Sequence, residues 1–188
     1  MDLKNLAVVR QTFAQTVFTH KVQEVAAERK VRRSKIYKLV HISLVSAVLV
    51  LLAIQAARLD TPIFALIGIG IAVAEIVFMI IQLSFDPERQ AASHKSSAMK
   101  YMALRDKYIL LIADIMDDKV PPHEIKVRRD SLQQEYQHIC DLAPQTGGRE
   151  YTEAQKRLNE RGAVESEQFT WSDEEIDRFL PKELRLKK

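Results

Sequence analysis

Residues 62–85 read PIFALIGIGIAVAEIVFMIIQLSF, an apolar run with one carboxylate, Glu75, in its interior. About 20 apolar residues rising 1.5 Å each cross a hydrocarbon layer ~30 Å thick, so the run is long enough to span a bilayer. A second run lies just upstream, KLVHISLVSAVLVLLAIQAA at residues 38–57. From Ile42 to Ala57 its polar residues are Ser43, Ser46 and Gln55, too few for the polar face that a helix in a soluble bundle would carry. Only RLDT separates the runs. Thr61 suits a helix cap there, and Pro62 a first turn, where a missing N–H costs nothing. The expected fold is an all-α membrane protein built on a two-helix transmembrane hairpin, with the lipid bilayer as its first partner.

The net charge of +3 hides a strong partition. Between Ile42 and Phe85 the ionisable groups are Arg58, Asp60 and Glu75. Arg29, Lys30, Arg32, Arg33, Lys35 and Lys38 precede the first run, and Arg89, Lys95 and Lys100 follow the second. By the positive-inside rule both termini lie in the cytoplasm. The first apolar segment starts only after the polar residues 2–35, and no small-residue cleavage site follows it, which is not the layout of a signal peptide. The chain therefore divides into a cytoplasmic N-terminal helix and basic flank (1–35), transmembrane helices at 36–57 and 62–85, a cytoplasmic helical region (87–143) and a C-terminal extension with short helices (144–188).

The flanking segments have helical periodicity. Leu6, Val9, Phe13, Val17 and His20 recur at steps of three and four, giving one apolar stripe. Asp86-Pro87 breaks the second run, with Asp86 placed to cap the next helix. In that helix His94, Ser97, Tyr101, Leu104, Tyr108, Leu111 and Ile115 alternate in spacing as a heptad seam, flanked by Ala98, Arg105 and Ile112. The seam should meet the N-terminal helix or a neighbouring subunit, and His94 on it reads as a packed or hydrogen-bonded histidine. Pro122 opens a helix to about Leu142, APQTGGRE is a loop, Tyr151 to Asn159 a short helix stopped near Gly162. Ser172 with Glu175 forms a capping-box pattern before EIDRFL.

No catalytic constellation emerges. Phosphate loops, HExxH, CxxC and nucleophile elbows are missing, and the histidines fall in separate segments. An enzyme is not expected, and neither is a metal or other cofactor. The single cysteine, Cys140, excludes an internal disulfide and reads as an incidental thiol. The basic cluster offers only Tyr37 as an interleaved aromatic, so nucleic acid is not an expected partner.

Glu75 is therefore the residue to explain. Charged groups at mid-span cost roughly 2.5–3.5 kcal/mol on insertion scales. If residues 58–61 form the turn, Glu75 lies at the depth of Leu44, close to Ser43 and Ser46. One reading is a protonated Glu75 bonded to either hydroxyl, holding the hairpin together. The other is a ring of Glu75 side chains lining a cation path, which needs a homo-oligomer because two spans cannot enclose water. Gly68 with Ala72, and Gly70 with Ala74, permit close helix approach.

The order of these elements, with FDPERQAASHKSSAMKYMALRDKY (85–108), DSLQQEYQHICDLAPQTGGREYTEA (130–154) and SDEEIDRFLPKEL (172–184), resembles the SLATT domain family. These are bacterial two-transmembrane effectors associated with SMODS nucleotidyltransferases and SLOG sensor proteins. His94, Ala98, Tyr101 and Leu104 resemble the family's post-membrane helix. The resemblance implies an inner-membrane effector of an anti-phage conflict system, expected to oligomerise and permeabilise or depolarise the membrane. It also implies a nucleotide-signalling enzyme, or its second messenger, as a partner. The alternative is a non-conducting membrane scaffold or sensor whose cytoplasmic helices recruit a partner.

Overall fold

The computed structural model describes residues 2–57, 62–159 and 171–186. Helices follow in the order α1 (Leu3–Ala57), α2 (Ile63–Phe85), α3 (Pro87–Met116), α4 (Pro122–Leu142), α5 (Gly148–Asn159) and α6 (Asp173–Phe179), then a single 3-10 turn at Lys182–Leu184. The described residues contain no strand. They form two compact units, one from Met1–Ala27 with Ala92–Lys188, the other Glu28–Ala91.

The N-terminal stretch and the first apolar run, separate segments in the sequence reading, form one helix of 55 residues. The physical reason is local: no Gly or Pro occurs between Leu3 and Ala57, so nothing offers the backbone a cheaper conformation. The boundary between α2 and α3 is sharp. Asp86 takes a left-handed conformation at φ 33°, which costs a non-glycine residue about 1–2 kcal/mol. Two hydrogen bonds offset that cost: the Asp86 N–H donates to the Gln82 carbonyl at 3.0 Å, and its Oδ1 accepts from the Arg89 N–H at 3.1 Å. Pro87 then starts α3 where its absent N–H goes unmissed.

The Glu28–Ala91 unit is the hairpin. The second part of α1 and the whole of α2 are both long and apolar enough to cross a membrane, and their outward faces are apolar, with Leu83 74% exposed. An apolar exterior that no element of the described residues covers is the surface a lipid-embedded hairpin presents. This is an all-α membrane fold. Thr61, read as a cap for α2, lies outside the described residues.

The other unit has its own core. Leu6, Val9, Phe13, Ala14 and Val17 of α1 join Tyr101, Leu104, Tyr108, Leu111, Ile112 and Ile115 of α3. Ile125, Tyr136 and Ile139 of α4 and Ile176 and Leu180 near the C-terminus complete it. The stripe on α1 thus meets the seam on α3 within one chain. Full burial of each such side chain contributes roughly 1.5–3 kcal/mol. At the start of α4, Pro121 is extended, as a residue before proline prefers to be. Helix α5 starts at Gly148, earlier than the loop-like APQTGGRE suggests, because Glu150 accepts the Gly147 N–H at 3.0 Å and satisfies the entering turn. Ser172 and Glu175 form the capping box of α6. The expected stop near Gly162 lies outside the described residues.

Candidate functional site

Along the hairpin the less exposed residues of α1 include Ser34, Tyr37, His41, Leu44, Val48, Leu51 and Gln55, at alternating steps of three and four. On α2 they include Phe64, Gly68, Ile71, Glu75, Phe78 and Gln82, in the same alternation. The two faces meet as an antiparallel seam of the knobs-into-holes kind. Tyr37 and Phe78 pack edge to face with ring centroids 5.7 Å apart. Gly68 is buried, and a Cβ there would meet the Leu51 Cβ at 3.8 Å.

Glu75 sits in this seam with its side chain only 10% exposed, and its Oε1 lies 2.8 Å from His41 Nδ1. Oε1 nonetheless makes no aligned hydrogen bond among the described residues. The contact has the distance of a hydrogen bond without its direction. A second seam residue, Gln55, also buries a carbonyl oxygen with no hydrogen-bond partner among the described residues.

The serines occupy different positions from those expected. The Ser43 hydroxyl donates to the Leu39 carbonyl at 2.9 Å and the Ser46 hydroxyl to the Ile42 carbonyl at 2.8 Å, both within α1 and both on its exposed face. The expected pairing of Glu75 with Ser43 or Ser46 is corrected accordingly: its neighbour is His41. The register differs from the symmetric estimate at Leu44 by three residues, or ~4.5 Å along a helix. A hydroxyl on a helix readily returns to the carbonyl one turn back, which removes it as a donor across the seam. Gly68 and Ala72 face the partner helix to different degrees, whereas Gly70 and Ala74 are exposed, and a Cβ on Gly70 would meet nothing within 4 Å.

One end of the seam is strongly polar. Lys38 pairs with Glu88, whose Oε1 also accepts the Ser34 hydroxyl at 2.8 Å, and Lys30 donates to Gln90 Oε1 at 2.6 Å. The Lys38 and Ser34 bonds hold the Glu88 carboxyl below the usual carboxylate range. The Arg33 guanidinium lies 5.2 Å from the Tyr37 ring centroid and donates to its hydroxyl. His41 follows inward from this polar end, and Glu75 is the carboxylate enclosed beyond it.

In the other unit, His94, Tyr101, Leu104, Tyr108 and Leu111 are all buried. His94 Nδ1 lies 2.7 Å from Gln23 Oε1, and Gln23 Nε2 donates to the Pro144 carbonyl at 3.1 Å. Tyr101 donates to Cys140 Sγ at 3.2 Å, while the Tyr108 hydroxyl has no partner among the described residues. Burial raises both tyrosine pKa values above their usual 10. The described residues bring together no group of three metal-ligating side chains.

Sequence reasoning missed two features. His41 was visible as the one ionisable group between Lys38 and Ala57, four residues after Tyr37 on the same face. Arg10 is 1% exposed in the core, donating to Asp177 Oδ1 at 2.7 Å, Asp173 Oδ1 at 3.3 Å and the Leu184 carbonyl at 3.4 Å. Its position between Leu6 and Phe13 on the apolar stripe was the available signal.

No curated protein and no solved structure matches the chain. The two apolar helices of the hairpin agree with the two transmembrane segments in the description of the family that matches. Residues 6–175 match the sequence profile of the SMODS and SLOG-associating 2TM effector domain family 4, and the chain belongs to that family.

Proposed function

We propose that the protein is a bacterial inner-membrane effector of an anti-phage conflict system that oligomerises and depolarises the membrane when a partner signals infection. The observation that carries this reading is Glu75, a carboxylate enclosed against His41 in the interior of the hairpin seam. A carboxylate in that position is costly and acquires a use when several hairpins assemble and open their seams onto a shared water-filled path. The exposed Gly70 and Ala74 support assembly, since small residues let neighbouring helices approach without a hydrophobic driving force. The basic flank from Arg29 to Lys38 favours cytoplasmic termini and contact with anionic headgroups. The family description supports an effector role beside a nucleotide-signalling enzyme or its second messenger.

The test is induced expression in cells carrying a potential-sensitive dye, comparing the native chain with Glu75→Gln and Glu75→Leu. The native chain should collapse the potential and halt growth, and both variants should change the extent or onset of depolarisation. Depolarisation identical in all three removes Glu75 from the path. Harmless expression of the native chain, with a specific protein co-purifying, establishes the scaffold alternative instead.

A further inference from the structure

The Met1–Ala27 and Ala92–Lys188 unit contains a cleft of about 810 Å³, assembled from α1, α3, α5 and α6. Its polar wall is dominated by cations: Lys21, Arg105, Arg157 and Arg178, with His20 among them and Glu24 as the one carboxylate. Apolar side chains, including Phe179, Ile109 and Pro181, share the lining. Neighbouring carboxylates engage some of the cations. Lys21 lies 2.6 Å from Glu24, Arg105 2.7 Å from Asp106, and Arg157 2.8 Å from Glu153. Arg178 has no carboxylate within ion-pair distance among the described residues.

Three arginines and a lysine lining one cleft with apolar side chains form a specific chemistry. Arginine forks match the oxygens of a phosphate in pairs, and half-buried cations act at lower effective dielectric than surface ones. Lys21, Arg105 and Arg157 are half-buried, their side chains 20%, 32% and 34% exposed. The volume falls within the roughly 300–1,000 Å³ of small-molecule sites, room for more than an inorganic anion. Phe179 and Pro181 offer a flat apolar seat for a ring, since aromatic faces stack on planar ligands with little regard to their identity. We infer that this cleft binds a soluble phosphorylated small molecule of about nucleotide size, its phosphates on Arg105, Arg178 and Lys21 and its planar body against Phe179. The inference concerns this unit alone and does not rest on the pore reading, because binding can be measured in a chain that conducts nothing.

The only tryptophan supplies a reporter. Trp171 packs on Phe179, with ring centroids 6.2 Å apart, so occupancy of the cleft should perturb its emission. Full-length protein in zwitterionic nanodiscs would be titrated with pyrophosphate, with ATP, and separately with a short-chain phosphatidylglycerol. We expect saturable quenching and calorimetric heat with ATP, weaker heat with pyrophosphate, and attenuation of both by salt. Arg105→Ala combined with Arg178→Ala should weaken ATP binding at least tenfold at an unchanged melting temperature. The exposed Arg178→Glu alone, which disturbs no packing, should weaken it severalfold. Three results overturn the inference: no saturable binding of either phosphate compound at millimolar concentration, binding unaltered by the arginine variants, or binding confined to phosphatidylglycerol. Displacement of bound ATP by phosphatidylglycerol at much higher concentration supports it, with the soluble ligand preferred.

Discussion

His41 Nδ1 and Glu75 Oε1 face each other at 2.8 Å across the hairpin seam, and Glu75 is the more enclosed of the two. If this contact holds the helices together, the residues are energetically coupled. A double-mutant cycle with His41→Gln and Glu75→Gln, read by unfolding in mixed detergent, should give a coupling of about 0.6–1.7 kcal/mol, the span found for polar contacts between membrane helices. Strictly additive effects would mean that proximity alone brings the pair together.

The buried and the exposed face of α2 make a second comparison. Gly68→Leu places a branched side chain against Leu51 and should destabilise the hairpin by roughly 1–3 kcal/mol, as overpacking does. Gly70→Leu meets open space within one chain and should leave the isolated hairpin intact. Loss of higher-mass species in mild detergent for Gly70→Leu, with the monomer unaffected, would locate the contact between copies on that face. Unchanged mass places that contact elsewhere.

Arg10 fixes the C-terminal segment to the core. Removing one partner from a buried ion pair costs roughly 3–5 kcal/mol, so Asp177→Ala should be strongly destabilising because it strands the guanidinium. Asp173→Ala should cost far less, its carboxylate being 64% exposed and 3.3 Å away. Hydrogen exchange over residues 171–186 reads the difference, and equal protection in both variants would refute the ranking.

Tyr108 buries a hydroxyl that bonds to nothing among the described residues. Tyr108→Phe should therefore be neutral or stabilise by up to about 1 kcal/mol, since it removes an unpaired polar group without opening a cavity. Tyr101→Phe forfeits the bond to Cys140 Sγ and should cost a few tenths to about 1 kcal/mol. Reversal of this order in thermal unfolding would count against the assignment.

His20 predicts a pH dependence. Burial depresses its pKa below the ordinary 6.5, and the Arg105 and Lys21 charges add to this against the pull of Glu24 and Asp106. Arg157 and Arg178 also face the cleft from α5 and α6. The unfolded chain then takes up the proton more readily than the folded one. Stability should be fully retained above pH 6.5 and fall as the pH drops from there through the depressed value. His20→Gln should flatten that slope. With pyrophosphate in the cleft the anion favours the imidazolium, so pyrophosphate binding should tighten over the same interval.

The apolar runs at 38–57 and 62–85, the break at Asp86-Pro87 and the seam from His94 to Ile115 were legible because each is a property of a single segment. Length against bilayer thickness, a missing N–H and a period of 3.5 residues act without reference to the rest of the chain. The tertiary structure decided which residues meet. Rotation of α1 about its axis sends Ser43 and Ser46 outward and brings His41 to Glu75, although either pairing leaves the apolar pattern of both helices almost unchanged. Arg10 looks like an ordinary surface cation until Asp177, distant in sequence, closes over it. The cleft is likewise built from residues 17–24, 105–109, 157–158 and 178–181, whose charges converge only when four helices pack. Periodicity specifies which face of a helix is buried. Which residue lies opposite depends on register and rotation between helices, and those are set by packing across the whole unit.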